Sequence, residues 1–347
     1  MADDSITLME LDGASHRTAV ADEIRGASPD PQDGARADER TPANAGFAEQ
    51  VRSLSQVNGW RAAAAIAFDW GVIVAAFACA LQFPQIWVWC LAAIVIAARQ
   101  HAMLILMHDA SHFRLCRNRT LNDRASNWLL AWPLLVSTEG YRANHFAHHS
   151  NLNTDDDPDW IRKVGRPEWT FPKTRWGLTW LLLKELCGGG FIEALRAIGR
   201  LSGRPQAKIE TRMLRFERPI FYAAVAALVI ATGLWPAVLI LWFAPAFTLL
   251  PVLLRMRSIA EHFGVEGDHE FNKSRNTHCA AWERFLLAPH HCGFHLDHHL
   301  YPSVPFYNLP RLHSLLLTLD EYQKHSHQTR HFVLSRESIF NELTHAG

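Results

Sequence analysis

The chain has 347 residues, with 34 basic and 34 acidic side chains and a formal net charge of zero, so it lacks the basic excess typical of a nucleic-acid-binding domain. Its 20 histidines and 13 tryptophans are unusual. Histidine is the commonest metal ligand, and tryptophan collects at membrane interfaces. The six cysteines (Cys79, Cys90, Cys116, Cys187, Cys279 and Cys292) are scattered with no Cys-x-x-Cys pair, indicating neither a disulfide framework nor a zinc knuckle.

The N-terminus is acidic and has no apolar core, so it does not read as a signal peptide. Residues 1–57 are rich in Asp, Arg, Ala, Gly and Pro and poor in aromatics, the composition of a disordered tail. From Ala62 to Ala98 the only charge is Asp69. A span needs about 20 apolar residues. The stretch running on to Met107 therefore predicts two spans, near 61–81 and 85–107, turning at Gln82-Phe83-Pro84-Gln85. Arg99, Gln100 and His101 interrupt the second, so its polar groups are expected to face the protein interior.

Residues 108–218 are largely polar, with short apolar runs at Trp128–Val136 and Leu178–Leu183 that read as interfacial. Gly188-Gly189-Gly190 reads as a loop. Pro219 to Leu254 carries no charge, and Trp235-Pro236 divides it into two further spans, near 219–235 and 237–254. Arginines and lysines crowd the middle segment, and Arg255 and Arg257 follow the last span. By the positive-inside rule this face and both termini are cytoplasmic. The expectation is an all-α integral membrane protein of four transmembrane helices in two hairpins. A cytosolic helical domain caps them within residues 58–330, and 331–347 form a C-terminal tail.

Three histidine clusters fall on that cytosolic side: His108-Asp-Ala-Ser-His112, His145-Phe-Ala-His148-His149 and His295-Leu-Asp-His298-His299. On a helix, positions i, i+3 and i+4 share one face. The clusters therefore offer eight imidazoles, more than one tetrahedral zinc takes, which points to a two-metal site. His262, just beyond the fourth predicted span, is a ninth candidate. Ligating imidazoles need their second nitrogen held by an acceptor. Asp109, Asp157, Glu261 and Asp297 are candidates for that role, and His290 for a supporting one. His101 reads as a supporting or helix-packing histidine, and His313, His325, His327 and His331 as surface residues. No His-Glu-x-x-His protease motif and no Gly-x-Ser-x-Gly elbow is present.

The boxes HDASH, NHFAHHSNLNTDDDPDW and APHHCGFHLDHHLYPSVPFYNLPRLH closely resemble those of the membrane fatty acid desaturases, bacterial members in particular, over roughly residues 60–325. The resemblance implies two iron ions, dioxygen as co-substrate, a long-chain acyl lipid substrate and desaturation in a bacterial inner membrane. It matches His108, His112, His145, His148, His149, His262, His295, His298 and His299 to the family's metal ligands. One position departs from it: some members carry an Asn four residues before the histidine matched by His262, where this chain has Ser258. Related proteins with the same boxes hydroxylate lipids or add keto groups to carotenoids, which is the alternative product. A non-redox membrane metal protein and a zinc-dependent lipid hydrolase are the rivals of other classes. No HPGG motif, cysteine-pair iron site or nucleotide-binding glycine motif is present, so electrons are expected from an external ferredoxin-like or cytochrome-type donor. Arg114, Arg117, Arg119 and Arg124 are its candidate dock.

Overall fold

The computed structural model describes residues 45–202 and 212–345, and the expected disorder of the first 44 residues lies outside them. Residues 45–57 are not a tail. Ala45–Leu54 form a helix, α1, that buries Phe47, Val51 and Leu54. Phe47 meets the Tyr301 ring at 6.2 Å, and the Leu54 carbonyl accepts from Asn308 Nδ2 at 2.6 Å. Three apolar residues four and three apart sufficed to dock a segment that reads as polar overall.

Among the described residues, three helices are long and apolar enough to cross a membrane: α2 (Gly59–Gln82), α3 (Ile86–Ser111) and the run Trp235–His262, here α8. Asn58 caps α2, its side chain accepting from Trp60 N at 3.1 Å. Pro84 sits in the turn that separates α2 from α3. The helices face different surroundings. Only 22% of the apolar window of α2 is buried against protein, whereas 67% of that of α3 is. Phe68, Val74 and Leu81 of α2 are exposed, as residues facing acyl chains would be.

The second predicted hairpin is shifted. Helix α7 spans Arg212–Ala231, starting in charged residues, and the turn falls at 232–234, with Gly233 at φ 68°. Trp235 then opens α8 with Pro236 in its first turn, where the missing N–H costs nothing. A π segment at Leu239–Phe243 interrupts α8 before it runs on to His262, well past the predicted end at 254.

Between the hairpins lie α4 (Thr138–Ser150), α5 (Arg175–Lys184) and α6 (Gly190–Ser202). Helix α5 turns Leu178 and Leu181 inward and leaves Trp176 and Trp180 exposed, indoles of the kind that collect at membrane interfaces. The 128–136 run is only partly interfacial: Leu130 and Trp132 are fully buried. Gly188–Gly190 is no loop but the joint between α5 and α6, and a side chain at Gly190 would collide with Pro251 Cβ at 2.5 Å.

The C-terminal third adds short elements. Strand β2 (Arg275–His278) pairs in parallel with β3 (His327–Arg330). Helix α9 (His295–Leu300) is followed by α10 (Leu309–Leu316) and α11 (Asp320–His325). Residues 331–345 are not a tail either. Phe332, Ile339 and Leu343 pack into a core with Ile259 and Phe263, and β4 (Thr344–His345) pairs with β1 (Lys173–Thr174).

Candidate metal centre

Four helices deliver the nine histidines. His108 lies in the last turn of α3 and His112 at its C-cap. Helix α4, capped by Ser137 Oγ accepting from Gly140 N at 3.1 Å, carries His145, His148 and His149. His262 ends α8, and α9 carries His295, His298 and His299.

They sort into two adjoining groups. His108, His112, His145, His149 and His298 have ligand atoms within 4.8 Å of one another. So do His148, His262 and His299, and so do Glu261, His262 and His295. Helix geometry explains the division. On α4 the i, i+4 pair His145 and His149 enters the first group while His148 reaches the second. On α9 the pair His295 and His299 enters the second while His298 reaches the first. Each three-histidine helix thus bridges both groups, and the His149 and His299 rings stack across the divide at 4.3 Å.

The donor set fits metal ions. His145 Nε2 lies 2.9 Å from His112 Nε2 and 3.0 Å from His149 Nε2. His298 Nε2 lies 3.2 Å from His149 Nε2, and His295 Nε2 lies 3.0 Å from both His262 Nε2 and His299 Nε2. Two nitrogens bound at right angles to one ion at ~2.1 Å stand ~3.0 Å apart. Converging lone pairs repel unless a proton or cation sits between them. Burial first, and the neighbouring imidazoles second, hold His112, His145, His149, His295, His298 and His299 well below their ordinary value of 6.5. The rings are therefore neutral near pH 7, which leaves their lone pairs for a cation. His108 Nε2 is buried without a partner among the described residues.

The supporting residues divide. Asp157 Oδ2 accepts from His148 Nδ1 at 2.9 Å, and Asn153 N and Asp159 N fix the same carboxylate at 3.1 and 2.8 Å. Glu261 Oε1 lies 3.3 Å from His295 Nδ1 and accepts from Arg257 Nε at 2.6 Å. Asp109 is less direct: its Oδ1 is 3.8 Å from His108 Nδ1, while its Oδ2 accepts from Phe306 N at 2.8 Å. Asp297 touches no box imidazole in a hydrogen bond. It accepts from Asn276 Nδ2 at 2.8 Å, His313 Nδ1 at 2.9 Å and the Tyr322 hydroxyl. The reason is local: Asp297 is two residues from His295 and so points off the histidine face. His290 pairs with Asp69 Oδ2 at 2.7 Å, away from both groups.

The sequence reading missed several residues. Tyr141 Oη lies 3.3 Å from His145 Nδ1, one turn earlier on α4, a spacing that could have flagged it. Arg142 donates from Nε to the Ser111 carbonyl at 2.8 Å and so ties α4 to the first box. His313 is buried rather than a surface residue. Ser258, in the position that some desaturases fill with Asn, accepts from Lys163 Nζ at 2.7 Å. His101 is fully buried with both nitrogens unpartnered among the described residues, and Arg124 is engaged by Glu217 at 2.9 Å.

Membrane-length helices whose ends meet two short histidine-bearing helices, gathering seven buried and two half-buried histidines, define a helical membrane protein with a cluster fit to bind metal. The comparisons with known proteins make the class specific. The fatty acid desaturase family matches over residues 84–331, and the chain belongs to that family. It is accordingly an oxidoreductase, in a family that generally uses two irons and dioxygen. It is 28% identical over 269 residues to a dihydrorhizobitoxine desaturase of Bradyrhizobium elkanii, covering 75% of this chain and 76% of the relative. It is 30% identical over 275 residues to the human sphingolipid delta(4)-desaturase/C4-monooxygenase DES2, covering 76% of each.

Proposed function

We propose that the nine histidines hold two iron ions and that the enzyme uses dioxygen to introduce a double bond into a long-chain acyl group. The carrying observation is the pair of adjoining, water-poor imidazole groups, each drawing on both α4 and α9, at the ends of membrane-length helices. Bound iron would supply the oxidising power to remove hydrogen from an unactivated carbon. The chain's part is orientation. Asp157 fixes the His148 tautomer, Glu261 backed by Arg257 faces His295, and Tyr141 faces His145. Burial of the imidazoles keeps bulk water from competing for their lone pairs.

In this reading α7 is the fourth span. Its exposed Ile220, Val225, Leu228 and Ile230 would face lipid, and its charged first turns would lie at the bilayer surface. Both termini and the boxes would be cytoplasmic, in a bacterial inner membrane, with electrons from an external ferredoxin-like or cytochrome-type donor. Hydroxylation is the second reading, favoured by one observation: the name of the human relative joins a desaturase to a monooxygenase activity.

Mass spectrometry of lipids from a host expressing the chain with a ferredoxin system separates the two. A lipid short of two hydrogens supports desaturation, and one that gains oxygen moves the reading to hydroxylation. His148→Ala should abolish either change while the protein remains inserted in the membrane. Full activity in that variant would contradict the ligand assignment.

A further inference from the structure

Beside the N-terminal end of α2, on the same side as the first histidine box, lies a basic groove of about 530 Å³. Trp60, Arg61, Arg117, Tyr307, Asn308 and Arg311 line it, and none of its lining residues is acidic. All three guanidinium groups belong to exposed residues. Arg61 is partly engaged: its Nη1 donates to Asn308 Oδ1 at 3.3 Å, and its guanidinium lies 4.8 Å from the Tyr307 ring centre. Among the described residues, Arg117 and Arg311 have no ion pair or hydrogen bond. Three like charges converging on one concavity repel one another, and an anion relieves that cost. Guanidinium forks match phosphate oxygens in pairs.

We infer that this groove binds the phosphate of an anionic membrane phospholipid. Its position selects that source of phosphate. The groove opens where α2 begins its membrane-length run, and Trp60 there is 86% exposed, as an indole at the headgroup level would be. Farther along α2, Phe68 and Val74 are exposed and offer an apolar surface to the acyl chains. An acidic protein partner fits less well, because a stable protein interface needs roughly 800 Å² on each side rather than a concavity the size of a headgroup. The floor is also tied to the histidine end of the molecule. Asn58 N donates to Tyr307 Oη at 2.6 Å, and the neighbouring Phe306 N donates to Asp109 beside His108. The inference needs the chain to lie in a membrane but does not depend on which lipid reaction it catalyses.

The test is native mass spectrometry of the full-length protein in neutral detergent, titrated with phosphatidylglycerol or phosphatidylcholine. The wild type should retain phosphatidylglycerol preferentially. The double variant Arg117→Gln with Arg311→Gln should lower that retention about tenfold or more, at roughly 1 kcal/mol per basic residue. Phosphatidylcholine retention and metal content should not change, which would show that the variant is folded. Equal retention of phosphatidylglycerol by wild type and variant would overturn the site. Displacement of the lipid by millimolar inorganic phosphate alone would overturn the membrane source. Loss of binding to an acidic ferredoxin with unchanged lipid retention would overturn the ligand class in favour of a donor dock.

Discussion

The two helices that carry three histidines each do the same job by different means. Helix α4 has 13 residues, its own Ser137 cap and Arg142 tying it to the first box. Helix α9 has 6 residues and no capping side chain at its N-cap position. A helix that short does not persist alone. Its first free N–H groups are instead satisfied from β2: Asn276 Oδ1 accepts from Leu296 N at 3.0 Å and from Asp297 N at 3.4 Å. Asp297 then binds α9 to Asn276, to His313 on α10 and to Tyr322 on α11. The contrast teaches that identical histidine spacing can rest on local helix chemistry in one box and on a distant buried network in another.

The sharpest way to break this comparison is Asp297→Ala. It removes the acceptor shared by three buried groups, His313, Asn276 and Tyr322, at roughly 1–3 kcal/mol for each bond that the remaining Asn276–Tyr322 contact at 2.8 Å does not replace. Thermal unfolding of the metal-free protein in detergent should show a loss of several kcal/mol, and metal held through His295, His298 and His299 should be lost with it. A variant as stable as the wild type would remove the network from the account.

Asp157→Asn acts on a single imidazole of α4 rather than on a helix. Metal affinity should fall about 10–100-fold, read by chelator competition, with little change in secondary structure. Unchanged affinity would mean that His148 does not depend on that carboxylate.

Glu342 tests how far the support of α9 extends. It pairs with the buried Arg275, the neighbour of Asn276 on β2, and accepts from Thr329 Oγ1 at 2.8 Å. Burial alone would raise its carboxyl, but the His327 hydrogen bond and the Arg275 charge outweigh that and hold it at about 2, against 4.5 for the free group. A depressed carboxyl stabilises the fold above the free value and loses that contribution as pH falls from about 4.5 toward 2. Glu342→Gln should therefore cost about 1–2 kcal/mol at pH 7, after allowance for screening of the partly exposed pair, and the gap to wild type should narrow as pH falls below about 4.5 and close near about 2. A gap that stays constant with pH would assign the effect to packing.

Ser137→Ala should be the mildest change, about 1 kcal/mol for loss of one helix cap, with all metal retained. A loss as large as that of Asp297→Ala would erase the distinction between the two boxes.

The nine histidines were legible because their signal is local: one spacing, repeated, on helical faces. The first two membrane-length helices were legible for the same reason, since an uncharged stretch of sufficient length needs no tertiary context. What stayed hidden depends on contacts between distant positions. Asn276 belongs to no motif and His313 reads in sequence as a surface residue, yet both converge on Asp297. The segments read as tails dock through sparse apolar residues, Phe47, Val51 and Leu54 at one end and Phe332, Ile339 and Leu343 at the other. Asp297 itself could have been placed better, since a residue two positions from His295 cannot share its face. The shift of the second hairpin came from reading Trp235-Pro236 as the break, when proline in a first turn starts a helix.

The central claim is that nine histidines form one centre for two metal ions. The most direct test is metal analysis of the purified full-length protein after anaerobic loading with ferrous iron, alongside His298→Ala and His299→Ala. The account predicts two irons per chain in the wild type and less than two in each variant. A wild type that binds no more than one iron, or variants that keep both, would contradict it.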